Sequence, residues 1–221
     1  METLFAEQQS TMAFPKRLTE EFRPRRVSEF IGLSKQKKVL SSLLHSPRAC
    51  SLLFVGEPGT GKTTIAIAFA AELEAELHHV PSQQCNLETL QGIIAQCHRV
   101  AFNFTTGKAA RFHVVLIDEA DCCSDAAQKY LLSKMDSTNA PPQTIFIFTA
   151  NSVDRLEERF LSRTLRLDFT SYGSGSEITE LLERIWTAKA PANAERPVFK
   201  RLACGNVRQA LQNLELELLS A

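Results

Sequence analysis

The chain has 221 residues, with 25 Lys+Arg against 25 Asp+Glu; a formal charge of zero excludes a nucleic-acid footprint spread over the whole surface and leaves such a partner only local basic patches. Hydrophobic residues make up 44%, enough for a core, and the length allows one large domain or one plus a small one. No run approaches the roughly 18 uncharged apolar residues of a membrane span, and residues 1–15 lack the regions of a secretory signal, so a soluble cytoplasmic, nucleoid or nuclear protein that is not secreted and meets no membrane is expected.

Residues 1–18 read as a loose N-terminal arm. Arg23-Pro24 keeps helix from forming just before the proline. A helix is predicted over 33–44, a strand over 51–55 and a helix over 62–77, with Val80 in a short strand or its exit. A helix over 87–101, a strand over 112–117 and a helix over 126–136 follow. Strands over 144–149 and 165–169 flank a short helix over 156–161. This alternation predicts a parallel sheet covered on both faces. Ser171-Tyr172-Gly173-Ser174-Gly175-Ser176 reads as a flexible joint, and two helical segments, 177–188 and 206–219, as a small helical lid. The domain reading is thus an arm, an α/β domain over 19–170 and a lid over 171–221.

The six cysteines (Cys50, Cys85, Cys97, Cys122, Cys123 and Cys204) contain no C-x-x-C pair. The spacing suggests neither a zinc framework nor a disulfide pattern, and reduced thiols are expected.

The strongest signal follows the apolar run Ser51-Leu52-Leu53-Phe54-Val55. Gly56, Glu57, Pro58, Gly59, Thr60, Gly61, Lys62, Thr63 and Thr64 fit G-x-x-x-x-G-K-[ST], the phosphate-binding loop. Its glycines let the backbone wrap a phosphate, its N–H groups point at the anion, and the next helix adds its positive end. In that loop Lys62 reaches the β- and γ-phosphates and the Thr63 hydroxyl ligates Mg²⁺. The bland alternative, a Gly-rich β-to-α turn with a chance lysine, is disfavoured by the strand before it and the helix after it.

The second signal is Asp118-Glu119-Ala120-Asp121 after the apolar run 112–117. Carboxylates at the C-terminal edge of a central strand lie where open α/β sheets bind ligands. Asp118 reads as a Mg²⁺ holder and Glu119 as the base that orients and deprotonates water. Asp121 or Asp125 is free to cap the next helix.

The order of motifs resembles the AAA+ ATPases, and within them the clamp-loader clade that includes replication factor C small subunits. The likeness runs from about residue 18 to residue 214. Glu21-Phe22-Arg23-Pro24 and Phe30-Ile31-Gly32 are similar to the segment that packs on adenine. Phe148-Thr149-Ala150-Asn151 resembles the first sensor strand, Ser162-Arg163-Thr164 the Ser-Arg-Cys motif with Thr for Cys, and Gly205-Asn206-Val207-Arg208-Gln209-Ala210-Leu211 the second sensor helix. The resemblance implies a P-loop α/β fold with a helical lid, ATP and Mg²⁺ as cofactors, and hydrolysis to ADP and phosphate. Phe22, Arg23, Pro24, Ile31 and Gly32 would hold the base; Asn151 and Arg208 would touch the γ-phosphate; Arg163 would act as an arginine finger on a neighbouring subunit's ATP. A finger in trans implies a homo- or hetero-oligomer. Clade members continue into a helical collar; this sequence ends at Ala221 without one, so a ring would rest on contacts between ATPase domains or on partners.

Charge is uneven. Arg23, Arg25, Arg26, Lys35, Lys37, Lys38 and Arg48 face one acid, Glu29, between Phe22 and Gly56, and no acid lies between Thr89 and Ile117. Arg99, Lys108 and Arg111 of the second stretch flank Phe102 and Phe104, which either line a nucleic-acid path or tuck into the core. Lys129 and Lys134 lie on the helix that touches DNA in loaders. The first functional expectation is therefore an ATPase acting on DNA or on a DNA-bound partner such as a sliding clamp. The alternatives are a protein remodeller with Ala101-Phe102-Asn103-Phe104 as pore loop, a nucleotide-gated scaffold, which the intact Glu119 disfavours, and a small-molecule kinase, which Asn151, Arg163 and Arg208 disfavour.

Overall fold

The structure, a computed structural model, describes residues 16–136, 138–170, 175–191 and 193–221. Its centre is a five-stranded parallel sheet in the order β2-β5-β6-β1-β7. The strands are β1 (Cys50–Gly56), β2 (Glu76–Val80), β5 (His113–Ile117), β6 (Thr144–Ala150) and β7 (Leu165–Phe169); β3 (Phe102–Asn103) and β4 (Lys108–Ala109) form a separate short antiparallel hairpin held against the start of β2. The central strands β5 and β6 are buried along their whole length, as strands covered on both faces must be. Edge strand β2 alternates instead, with His78 and Val80 inward and Leu77 and His79 outward.

Each sheet face has its own core. Leu52, Phe54, Val114, Leu116, Ile145 and Ile147 meet α2 (Ser34–His45) and α3 (Lys62–Glu72) through Leu40, Ile65 and Phe69. Leu53, Val55, Val115, Ile117, Phe146 and Phe148 meet α4 (Leu87–Cys97), α5 (Asp125–Met135) and α6 (Glu158–Leu161) through Leu90, Ile94, Leu131 and Phe160. A third cluster joins α7 (Gly175–Lys189), α8 (Phe199–Leu202) and α9 (Val207–Ser220) around Leu182, Trp186, Phe199 and Leu214. Leu18, opening the one-turn α1 (Leu18–Glu21), is buried in that same cluster. The N-terminal segment thus packs on the C-terminal helices.

Several expectations need correcting. Helix α3 stops at Glu72, not at 77, because Glu74 adopts φ 52° and turns the chain into β2. Helix α4 stops at Cys97, not at 101, and the hairpin takes up the residues beyond it. Neither Asp121 nor Asp125 caps α5: Ser124 does, its hydroxyl accepting the Ala127 N–H, while Asp121 turns back to accept the Asn151 and Ser152 N–H groups. The cysteines are not all free. Cys85 and Cys123 are joined, with Cα atoms 5.6 Å apart, because the neighbouring strands β2 and β5 deliver their exit loops side by side. Phe102 and Phe104 are not tucked into the core. They are 40% and 81% exposed and meet edge to face at 5.1 Å on the hairpin. Most of the predicted arm (1–15) and of the predicted joint (171–174) lies outside the described residues.

Candidate nucleotide site

The C-terminal ends of β1, β5 and β6 come together because β6 lies between the other two. The phosphate loop leaves β1, the acidic pair leaves β5, and Asn151 follows β6. Gly59 and Gly61 hold φ of 83° and 91°, a region that favours glycine. At Gly56 the constraint is space, since a Cβ there would lie 2.0 Å from the Phe169 carbonyl oxygen on β7.

Lys62, 7% exposed, donates to the Gly56 carbonyl at 2.6 Å, the Glu57 carbonyl at 2.9 Å and Asn151 Oδ1 at 3.1 Å. Burial pushes its ammonium below the ordinary lysine value, and the fields of Asp121 and Glu119 oppose that. The Thr63 hydroxyl donates to Asp118 Oδ1 at 2.8 Å, and Thr149 donates to the same oxygen at 3.1 Å. Asp118 Oδ2 lies 2.6 Å from His79 Nε2. Burial opposes ionisation of Asp118, but the hydrogen bonds from His79, Thr63 and Thr149 outweigh it and hold the carboxyl below its ordinary value. Glu119 is exposed beside it, with φ 52° and its N–H on Thr149 Oγ1 at 3.0 Å.

Beside the loop a cavity of about 360 Å³ opens, walled by Phe22, Arg23, Pro24, Phe30 and Ile31 on one side and by Thr60, Thr63 and Thr64 on another. Val207, Arg208 and Leu211 of α9 close it, so Arg208 reaches the same space as Thr63. Gly32 lines the adjoining cleft, and Leu33 takes its place in the cavity wall. Arg163 lies elsewhere. It is at the opposite end of the sheet, near Cys50 and Leu165, with Nη1 on the Arg159 carbonyl at 3.1 Å and Asp136 3.9 Å away.

Sequence reasoning missed His79 and Asn206. His79 carried no motif, and only the strand alternation of β2 could have aimed it at Asp118. Asn206 was visible as a helix-cap residue before an apolar stripe, and its Oδ1 does accept the Gln209 N–H at 3.0 Å. What no pattern gave is its Nδ2, which donates to the Pro58 carbonyl of the phosphate loop at 3.0 Å.

Residues 52–172 match the AAA family, described as the ATPase family associated with various cellular activities. The chain belongs to the AAA family. Within it, similarity is found to replication factor C small subunit 2 of Pyrobaculum islandicum, 33% identical over 202 residues, covering 89% of this chain and 62% of the relative. The small subunit 2 of Pyrobaculum aerophilum is 35% identical over 154 residues, covering 68% of this chain and 47% of the relative. The chain thus spans between 47% and 62% of the length of these relatives. Among solved structures, RuvB of Thermotoga maritima, titled a Holliday junction branch migration motor, shares the fold with a TM-score of 0.67 at 23% identity, over 86% of this chain and 63% of that one. The expectation of an α/β AAA+ fold like that of replication factor C small subunits therefore holds. Among the described residues no helix is long and apolar enough to cross a membrane.

Proposed function

We propose that this AAA protein hydrolyses ATP to ADP and phosphate and couples that to work on DNA or on a DNA-bound partner, as a clamp loader does, in replication, repair or recombination. The observation that carries this reading is the meeting of Lys62, Asn151, Thr63, Asp118 and Glu119 at one sheet edge, with Arg208 beside Thr63. Lys62 and the loop N–H groups hold the phosphates, and the Phe22–Ile31 wall takes the base. The residues also suit Mg²⁺, because the Thr63 hydroxyl and the Asp118 carboxylate are hard oxygen donors 2.8 Å apart. Thr63 and Asp118 would hold the ion, which would supply neutralising charge to the β- and γ-phosphates.

Glu119 orients and deprotonates the attacking water. Asn151 positions that water or the γ-phosphate. Arg208 reads the same phosphate from α9, so nucleotide state moves the helical lid, taken as 171–221, against the ATPase domain, 19–170. Asn206 supports that coupling, since it caps α9 and bonds the phosphate loop. Arg163 is too far round the sheet to serve its own site and acts in trans, which makes the working unit an oligomer.

A second reading, a remodeller that acts on protein without DNA, draws on the exposed Phe102–Phe104 pair. Steady-state ATP hydrolysis measured across protein concentration, with and without primer–template DNA, separates the two. Stimulation by DNA, weakened by added salt, supports the first reading. Hydrolysis indifferent to DNA overturns it in favour of the second.

A further inference from the structure

Ionisable side chains also converge at the other end of the sheet, away from the phosphate loop. Glu76 and His78 are two residues apart on β2, so both leave the same face. His113 opens β5 directly beside Glu76 in the parallel register. Cys97, the last residue of α4, comes down over that corner from the helix layer that covers the face. His78, Cys97 and His113 are all buried, and their ligand atoms lie within 4.8 Å of one another. The proposed ATP chemistry uses none of them.

We propose that Glu76, His78, Cys97 and His113 form a four-coordinate site for a zinc-like divalent cation that fastens the edge strand and the β3–β4 hairpin to the sheet. The spacing fits. Tetrahedral zinc, with bonds of about 2.0–2.3 Å, sets its ligand atoms roughly 3.3–3.8 Å apart. His78 Nε2 and His113 Nδ1 are 3.1 Å apart, and the Glu76 oxygens lie 3.8 Å from the first and 3.5 Å from the second. The surroundings orient the ligands. His113 Nε2 is 3.0 Å from the Arg99 carbonyl, which accepts only, so Nε2 carries the proton and Nδ1 turns a lone pair inward. Glu76 Oε2 accepts the Phe102 N–H at 2.6 Å, which fixes the carboxylate and ties the site to the hairpin. Two imidazoles, a thiolate and one carboxylate suit zinc and not Mg²⁺ or Ca²⁺, which take oxygen. On binding, the Cys97 thiol gives one proton to solvent, and His78 shifts its proton to Nδ1 to free Nε2.

The alternative for the same atoms is a metal-free His78–His113 hydrogen bond beside a buried thiol. The full chain, purified from zinc-supplemented cells and desalted, distinguishes them by elemental analysis. The proposal expects one zinc per chain, lost in Cys97→Ala and in His113→Asn and retained in a Cys122→Ser, Cys204→Ser double variant. Cobalt exchanged into the wild-type chain gives tetrahedral visible bands with a thiolate-to-cobalt charge-transfer band, a readout that stands even if a variant fails to fold. A chelator lowers the thermal midpoint of the wild type and leaves that of Cys97→Ala unmoved. Zinc absent from the wild type, zinc retained in Cys97→Ala, zinc lost with the exposed cysteines, or a cobalt spectrum without the charge-transfer band would each overturn the proposal. The ATP site gives no such band, because Thr63 and Asp118 offer only oxygen.

Discussion

His79 Nε2 lies 2.6 Å from Asp118 Oδ2, so a side chain of the edge strand braces the carboxylate that Thr63 also holds. Asp118 is kept below its ordinary value of 3.8, its hydrogen bonds outweighing the opposing effect of burial. A depressed folded-state value means that the ionised carboxylate stabilises the fold above about pH 4, and that this contribution is lost as pH falls through the folded value. His79→Ala removes one of those bonds, so acid unfolding should begin at a higher pH. The pair is partly solvated, so the loss at neutral pH should stay within about 1 kcal/mol. Acid titrations of the two proteins followed by circular dichroism check this; coincident curves contradict it.

Asn206 performs two tasks with two atoms, and two substitutions separate them. Asn206→Ala loses the cap of α9 and the bond to Pro58. It should cost about 1 kcal/mol, a drop in thermal midpoint of about 2–4 °C for a chain of this size, and it should also raise the KM for ATP. Asn206→Asp keeps the oxygen that accepts from Gln209 and lacks the amide that donates to Pro58. It should hold the midpoint and still raise the KM. Equal KM values in all three proteins would remove Asn206 from the coupling between lid and loop.

Arg163→Ala should bind ATP as the wild type does and lose hydrolysis by on the order of 10³-fold, the scale of an arginine finger. Its thermal midpoint should fall by no more than about 2–4 °C, because a surface contact of 3.9 Å with Asp136 is worth roughly 0–1 kcal/mol. Nucleotide-binding titration, turnover and melting on the same preparation test the three parts. Undiminished turnover would end the trans role.

Much of this was legible in the sequence because the information was local. The loop from Gly56 to Thr64 and the run ending in Asp118-Glu119 each carry their chemistry within a few neighbours, and β6 could be read from six consecutive apolar or threonine residues. What was missed depends on register between distant segments. Cys85 meets Cys123, and Glu76 meets His113, only because β2 and β5 are neighbours in the sheet. The same pairing turns His78 inward and His79 toward Asp118, a distinction between two adjacent histidines that composition cannot make. The early stop of α3 rests on one left-handed residue, Glu74, of a type that rarely signals a turn.

ATP turnover by Glu119→Gln beside the wild type, with nucleotide affinity determined on both, tests whether hydrolysis runs through this site. The substitution keeps the size of an exposed side chain and removes only the base. Affinity should be unchanged and turnover should fall on the order of 10²–10⁴-fold, the usual contribution of a general base. Turnover equal to that of the wild type would contradict the assignment of hydrolysis to this site.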